Sequence, residues 1–127
     1  MQKLYDAFPR LYRGRDLPLQ ASLMSQGFCC GDGWFELIWN LSKDIEQIAY
    51  NEGRNPAADT WPEATQVKEK FGSLRFHLRF NTCSAPMRTL LESARDASEH
   101  ICEECGQPGT PVQQHHGIQA LCPHHAQ

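Results

Sequence analysis

Four residues near the carboxyl end of the chain have the types and the spacing of a metal site. Cys102 and Cys105 form a C-x2-C pair, and after sixteen further residues Cys122 and His125 form a C-x2-H pair. Two intervening residues allow one tight turn to direct both side chains at the same point. Three thiolates and one imidazole complete a tetrahedral shell around Zn²⁺, so we predict one bound zinc ion at these four residues.

The predicted role of this zinc ion is structural. A catalytic zinc normally keeps one coordination position open for water, whereas four protein ligands leave none. The ion would therefore hold about 25 carboxyl-terminal residues in a folded module. His124 competes with its neighbour for the fourth position, but the C-x2-H spacing favours His125 because its outer residue returns to the metal.

A second histidine pair indicates an alternative chemistry. His115 and His116 lie between the two ligand pairs, in an order similar to the start of a zinc-braced HNH nuclease. In such an enzyme a histidine activates water beside a phosphate-bound metal. Only five residues separate His116 from Cys122, which is too short for the rest of that motif, and none of them is acidic or asparagine. A degenerate metal nuclease is therefore our third hypothesis, and an exposed hairpin tip is the simpler interpretation.

Two amphipathic helices are predicted from apolar residues that recur every three or four positions. The first covers residues 34–51 and the second runs from Ser84 to about His100. Asp32 is expected to cap the first helix and Gly53 to end it, and Ser84 is expected to cap the second. Residues 1–32 predict an irregular arm, rich in turn formers and packed on the core.

Two hairpins are predicted in addition to the helices. Residues 74–80 alternate apolar and polar side chains, as a half-buried strand does, and pair with residues 65–70 around Phe71-Gly72-Ser73. In the carboxyl-terminal module, residues 110–115 and 118–121 are expected to pair around Gly117. The fold class is therefore α+β, with two helices on a small antiparallel sheet or hairpin and a zinc-ribbon-like module. We divide it into a core, residues 1–100, and a zinc module, residues 101–127.

The outer face of the first hairpin carries a group of cations, which are Lys68, Lys70, Arg75, His77 and Arg79. Such a face can meet phosphates, and Phe71 at the turn can stack on a base. The alternative is a solvated strand face whose charges are balanced by nearby carboxylates, such as Glu63 and Glu69. The cations therefore favour a nucleic-acid-binding zinc protein, acting in replication or transcription, as the second hypothesis.

Three cysteines lie outside the metal pattern. Cys29 and Cys30 are adjacent, a poor geometry for a mutual disulfide, and Cys83 stands alone. Free thiols of this kind predict a reducing compartment. Cys30 lies close to a predicted helix start, where its pKa can fall, so it is a candidate nucleophile. A small buried residue at a glycine-rich helix entry is the alternative interpretation.

The composition is that of an ordinary soluble protein. The chain has 127 residues and a formal net charge of −3, which disfavours capture of nucleic acid by the whole surface. No apolar run approaches the roughly 20 residues that cross a bilayer, and the first residues lack the apolar core of a signal peptide. We therefore expect a cytoplasmic protein with no membrane partner, and no small-molecule substrate is indicated.

Several strings along the chain form a recognisable order. They are FPRLY at 8–12, CGDGWF at 30–35, VKEKFGSLRF at 67–76, Ser98 with ICEECG at 101–106, and LCPHH at 121–125. In this order they resemble a group of small proteins encoded by tailed bacteriophages and prophages, over nearly the whole chain. The resemblance implies expression in the cytoplasm of an infected bacterium and carries no catalytic residues with it. This chain has an additional cysteine, Cys29, before the one that precedes GDGW.

These observations lead to our first functional hypothesis. It is a non-enzymatic, zinc-binding phage accessory protein that binds a host or anti-phage defence protein and modulates or inhibits it. The binding face would be the zinc hairpin with His115 and His116, or the basic strand face. A closed zinc site without a catalytic constellation favours this hypothesis over both alternatives.

Overall fold

The computed structural model describes residues 1–127 as an α+β fold, which confirms the predicted fold class. Three α-helices and five β-strands are joined by turns and by four short 3-10 helices. The elements in chain order are α1 (Gln2–Ala7), β1 (Phe28–Cys29), α2 (Phe35–Asn51), β2 (Ala64–Lys70), β3 (Ser73–Leu78), α3 (Ala85–Ser98), β4 (Thr110–Gln114) and β5 (Gly117–Leu121). None of the helices combines the length and the apolar character that spanning a membrane requires.

Helix α2 is the longest element and presents one apolar stripe to the core. Its buried residues recur at helical spacing and are Ile38, Leu41, Ser42, Ile45 and Ala49. The predicted end is confirmed, since the amides of Gly53 and Arg54 donate to the last-turn carbonyls of Tyr50 and Ala49. The predicted cap is wrong, because Asp32 begins a separate 3-10 turn (Asp32–Trp34) and its side chain makes no capping hydrogen bond.

Helix α3 packs against both α2 and β3. It follows Ser84 and carries Pro86 in its first turn, as predicted, but the buried Ser84 hydroxyl makes no capping hydrogen bond. The helix ends at Ser98, slightly before the predicted limit. There the Ser98 hydroxyl accepts a 2.8 Å hydrogen bond from the Leu74 amide, which fixes the last turn of α3 against β3.

Strands β1, β2 and β3 form a mixed sheet with β2 in the centre. The predicted hairpin is confirmed, with β2 antiparallel to β3 and Val67 opposite Phe76. Its turn residues Phe71 and Gly72 have φ values of 54° and 81°, the left-handed pair that a two-residue type I′ turn requires. Strand β1 pairs in parallel with β2, and no pattern predicted it because two residues carry no periodicity.

The amino-terminal arm forms a large part of the core. Its fully buried side chains are Leu4, Leu11, Tyr12 and Met24. The Tyr12 hydroxyl lies 2.6 Å from the Ser42 hydroxyl in a buried hydrogen bond, and its ring makes edge contacts with Phe28 and Phe76. The arm is thereby tied to α2 and to the sheet at one point.

The predicted carboxyl-terminal hairpin is confirmed as β4 paired with β5. Ala120 on β5 belongs to the main core, whereas Leu121 packs with Cys102 and Cys122 in a small second cluster. The hairpin also contacts the turn of the first hairpin, since a Cβ atom added to Gly72 would lie 3.0 Å from the Ile118 side chain. Residues 101–127 therefore pack on the core through β5.

Candidate metal centre

The structure brings together the four residues of the predicted metal site. The ligand atoms of Cys102, Cys105, Cys122 and His125 all lie within 4.8 Å of one another. Cys102 and Cys122 are buried, whereas Cys105 and His125 lie at the surface. The cluster therefore lies at the edge of the small second core, with two ligands inside it and two facing solvent.

The separations within the cluster match a tetrahedral zinc site. Zinc–sulfur bonds of about 2.3 Å place two sulfur ligands about 3.8 Å apart in a regular tetrahedron. The sulfur atoms of Cys105 and Cys122 lie 3.7 Å apart. The His125 Nδ1 atom lies 3.7 Å from the Cys102 sulfur and 3.2 Å from the Cys122 sulfur. The four residues therefore fit a single small ion between them.

Two backbone turns position the ligands. The Gly106 amide donates to the Cys102 carbonyl at 2.9 Å, which closes the turn that carries Cys102 and Cys105. The His125 and Ala126 amides donate to the Cys122 carbonyl at 3.1 and 2.9 Å, which closes the second turn. Each C-x2-C or C-x2-H pair thus has the tight turn that its spacing predicts.

Hydrogen bonds within the cluster favour the thiolate form of two cysteines. Burial opposes ionisation of Cys102, but amides that include those of Cys122 and Cys105 outweigh it and lower its pKa. Burial also opposes ionisation of Cys122, yet the amide and imidazole of His125 lower its pKa to about 6. Hydrogen bonding to Cys122 in turn raises the pKa of His125. Because zinc binds thiolates, these amides favour the form of Cys102 and Cys122 that coordinates metal.

We name residues 102–106, which carry two of the candidate ligands, the metal-binding turn. This turn is attached to the core through the CGDGW segment, residues 30–34. The Gly33 amide donates to the Glu103 backbone carbonyl at 2.7 Å, and the Gly31 amide donates to the Glu103 carboxylate at 2.8 Å. The fully buried Trp34 donates its indole N–H to the Ile101 carbonyl at 2.9 Å. The metal-binding turn therefore packs on the residues that begin α2.

Close approach explains why residue 33 is glycine. A Cβ atom at this position would overlap the carbonyl oxygens of Cys102 and Glu103. The Glu103 side chain is itself buried, and this burial raises its pKa. Sequence reasoning missed this attachment and the role of Glu103. The two glycines flanking Asp32 were the available signal, because glycine permits one backbone to approach another closely.

Comparison with protein-family models, with curated proteins and with solved structures yields no match. The cluster of Cys102, Cys105, Cys122 and His125 is the one group of three or more His, Cys, Asp or Glu residues whose ligand atoms converge. It is thus the strongest chemical feature of the molecule.

The remaining histidines of the module lie outside the cluster. His124 is exposed, with its ring edge against the His125 ring at 5.1 Å, so the structure places His125 rather than His124 at the site. His115 and His116 are exposed in the turn between β4 and β5, as the hairpin-tip interpretation predicts. The His116 Nε2 atom lies 3.3 Å from the Gln119 amide oxygen, and neither histidine belongs to a group of converging metal ligands.

The predicted basic face is present, with one exception. The pairing register places Lys68 opposite Arg75 and Gln66 opposite His77, so Lys68, Lys70, Arg75 and His77 share one face of the hairpin. Arg79 lies beyond the end of β3 and is engaged elsewhere. Its guanidinium lies 3.2 Å from the carboxylate of Glu63, which is buried and also lies 3.6 Å from Arg13. Arg79 therefore does not belong to the basic face.

Cys30 does not have the character of a nucleophile. Burial, followed by the nearby Glu103 carboxylate, raises the pKa of its thiol to about 12. This corrects the expectation that the helix start lowers it, since the thiol is packed on the core. Cys29, Cys30 and Cys83 are all free thiols.

Proposed function

We propose that the chain binds one structural zinc ion through Cys102, Cys105, Cys122 and His125, and that it acts as a non-enzymatic binding protein. The observation that carries this proposal is the convergence of four ligand atoms within 4.8 Å. Three sulfurs and one imidazole nitrogen suit zinc better than magnesium or calcium, which prefer oxygen ligands. Four protein ligands also fill a tetrahedral shell and leave no position for a reacting water.

The proposed binding role follows from the surface of the zinc module, which the ion would stabilise. The zinc module has a small core of its own, in which Cys102, Leu121 and Cys122 are the buried residues. Metal–ligand bonds supply the stability that so small a core lacks, and they hold β4 and β5 beside the turn of the first hairpin. The supported surface contains exposed groups from both hairpins, including Phe71, His115 and Ile118. A rigid exposed surface without a reactive centre suits recognition of a partner.

The resemblance to phage and prophage proteins supplies the proposed setting. In an infected bacterium the partner is a host protein or an anti-phage defence protein, which this chain binds in the cytoplasm and modulates or inhibits. Recognition by a preformed surface suits this role, since it avoids the entropy cost of ordering the surface on binding.

Metal analysis and affinity capture test the two parts of the proposal separately. Native mass spectrometry of the purified chain is expected to show one zinc per molecule, and Cys105→Ser is expected to lose it. Cys83→Ser is the matched control, because Cys83 lies outside the cluster and should leave the zinc content unchanged. Capture from bacterial lysate should then recover a protein at stoichiometric yield. Recovery of nucleic acid alone would contradict the binding role, and a zinc-free wild-type chain would contradict the metal assignment.

Nucleic-acid binding is the second candidate function. It is favoured by Lys68, Lys70 and Arg75, none of which has a carboxylate partner within 4.0 Å. Contact with phosphates would make binding depend steeply on salt, and Lys70→Ala and Arg75→Ala would weaken it. A gel-shift titration at low salt is the direct measurement. No shift of single- or double-stranded DNA or of RNA would remove this candidate.

A further inference from the structure

The outward surface of the first hairpin carries several cations and lies next to exposed apolar side chains. We define the outer hairpin face as Gln66, Lys68, Lys70, Arg75 and His77, which alternate along β2 and β3 with residues of the opposite face. On the opposite face Val67, Leu74 and Phe76 are buried in the core. The outer hairpin face is therefore held in place by the buried side chains of the same two strands.

None of the cations of this face forms an ion pair with a carboxylate of the chain. The four ion pairs of the structure involve other cations, which are Arg13, Arg15, Arg54 and Arg79. Lys68 and Arg75 lie directly opposite each other without a carboxylate between them. Burial, with Lys68, Arg75 and Lys70, lowers the pKa of His77, which places all four groups in one electrostatic neighbourhood. This positive face belongs to a chain whose net charge is −3.

One end of the outer hairpin face adjoins an open groove whose lining is part aliphatic and part polar. The groove has a volume of about 350 Å³ and lies between the segment 19–23 and the strand residues Gln66 and His77. Leu19 and Leu23 on its wall are 53% and 38% exposed, so their aliphatic surface is open to a partner. The groove therefore offers apolar contact next to the cations.

The other end of the outer hairpin face is an exposed aromatic side chain in a strained conformation. Phe71 is 69% exposed and has a φ of 54°, a region that aromatic residues rarely occupy. The Lys70 ammonium lies 5.5 Å from the centre of its ring. Asparagine or glycine would satisfy this turn without strain, so the presence of phenylalanine indicates a role outside the hairpin.

From these features we infer that the outer hairpin face binds an extended, acidic segment of a partner protein that also carries an aliphatic side chain. Carboxylates of the segment meet Lys68, Lys70 and Arg75, its aliphatic side chain enters the groove beside Leu19 and Leu23, and Phe71 covers its other end. From Gln66 to Lys70 the face extends about 13 Å, a distance that about five extended residues of a bound segment span. The inference deepens the proposed protein-binding function and depends on it.

The same features favour a protein segment over nucleic acid. Phosphate recognition needs cations that follow a backbone, whereas here three cations lie next to a groove with aliphatic side chains in its lining. Nucleic acid has no aliphatic group to fill that groove except the thymine methyl. The net charge of −3 also opposes a polyanion at long range, while a short acidic segment is affected less.

Synthetic probes test the inference on the zinc-loaded full-length chain. The first probe is a fluorescein-labelled peptide of about eight residues that contains glutamates and two leucines, a length that spans the face and leaves residues beyond both ends. The second probe replaces the leucines with serine, the third replaces the glutamates with lysine, and the fourth is an oligothymidylate of similar length. Fluorescence anisotropy is expected to show the tightest binding for the first probe, with a marked loss at high salt.

Substitutions locate the binding on the outer hairpin face. Lys68→Glu combined with Arg75→Glu is expected to weaken the first probe by about tenfold or more, because two attractions become repulsions. Lys43→Glu combined with Arg88→Glu is the control, since it makes the same change in net charge at two exposed residues of α2 and α3. Leu23→Ser should remove the preference for the leucine-containing probe. Cys29 is exposed and adjacent to Lys68 in the sheet, so the bound probe should slow its alkylation relative to Cys83.

The outcomes that overturn the inference are distinct from failure of the proposed function. Tighter binding of the oligothymidylate than of the acidic peptides would replace it with nucleic-acid recognition. Equal loss with both charge-reversed pairs, or no binding of the first probe at low salt, would remove the outer hairpin face as the site. Zinc content is measured on every sample. A chain that contains zinc but binds none of the probes overturns this inference and leaves the proposed function standing.

Discussion

The Gly33 amide and the Glu103 carbonyl oxygen form a 2.7 Å hydrogen bond that joins the start of α2 to the metal-binding turn. The contact has no room for a side chain at residue 33, because a Cβ atom there would overlap two carbonyl oxygens of the turn. The candidate metal cluster and the start of α2 therefore share one interface. A substitution at the start of α2 should therefore change the affinity for metal, and loss of metal should destabilise the start of α2.

Gly33→Ala tests this shared interface. We expect it to reduce the free energy of unfolding by about 2 kcal/mol, as overpacking of a tight contact does, and to weaken zinc binding because the turn is displaced. Urea unfolding of the zinc-loaded chain and competition with a chromophoric chelator measure the two effects. Gly53→Ala is the control, since Gly53 has φ 77° with no atom within 4 Å of the added Cβ. It should cost about 1 kcal/mol in backbone strain and leave zinc affinity unchanged. Unaltered zinc affinity in Gly33→Ala would contradict the coupling.

The parts of this fold that were predictable are those set by neighbours in sequence. The alternation around Leu74 and Phe76 predicted β3, helical periodicity predicted α2 and α3, and the C-x2-C and C-x2-H spacings predicted which ligands would converge. Each of these signals depends on residues that lie within a few positions of one another.

The parts that were missed depend on distant pairings. The Arg79 guanidinium lies near Glu63, which withdraws it from the basic face, and β1 forms only because its two residues lie beside β2. No sequence pattern distinguishes Glu103 from its neighbour Glu104, yet its carboxylate accepts a hydrogen bond from the Gly31 amide. No local pattern carries such information, because the pairing is decided by how the whole chain packs.

Removal of the metal should destabilise the core at residues 31–34, which contact the metal-binding turn. With zinc chelated, the turn that contains Cys102 is no longer held, and the hydrogen bond from the Trp34 indole to Ile101 loses its anchored partner. We expect faster hydrogen exchange at residues 31–34 and 101–122, and a red shift in the tryptophan emission as Trp34 becomes hydrated. The second half of α2 serves as the internal reference, since Glu46 there accepts a hydrogen bond from the Trp61 indole, which lies outside the module. Unchanged exchange at residues 31–34 would show that the module folds independently of the core.

Substitution of Phe71 in the turn of the first hairpin should raise stability and weaken binding. Phe71→Asn places a residue that tolerates positive φ at a position where φ is 54°, beside a glycine that completes a type I′ turn. We expect the free energy of unfolding to rise by about 1 kcal/mol, because the left-handed strain of phenylalanine is relieved. The exposed ring is lost at the same time, so the acidic leucine-containing peptide should bind less tightly. Phe71→Tyr keeps both strain and ring and is the control. A destabilised Phe71→Asn chain would contradict the strain argument.

The pairing of Glu46 with Trp61 predicts a dependence of stability on pH. Burial raises the pKa of Glu46, while the Trp61 indole N–H, which donates to its carboxylate at 2.9 Å, acts in the opposite direction. A carboxyl group whose folded-state pKa is raised stabilises the fold below its unfolded pKa, and this contribution is lost as pH rises through the folded pKa. Glu46→Gln keeps an acceptor for Trp61 without the charge. It should therefore gain stability over the wild type as pH rises above about 4.5.

The difference in the free energy of unfolding between wild type and Glu46→Gln is measured by urea titration from about pH 4 to about pH 7.5. Both chains have the same zinc ligands, so loss of metal in acid affects them equally and cancels in the difference. The same comparison in a Trp61→Phe background should show a larger gain at neutral pH, because the ionised carboxylate has lost its donor there. A difference that does not change with pH, or that grows toward acid, would mean that Glu46 is not held in an environment that disfavours its charge.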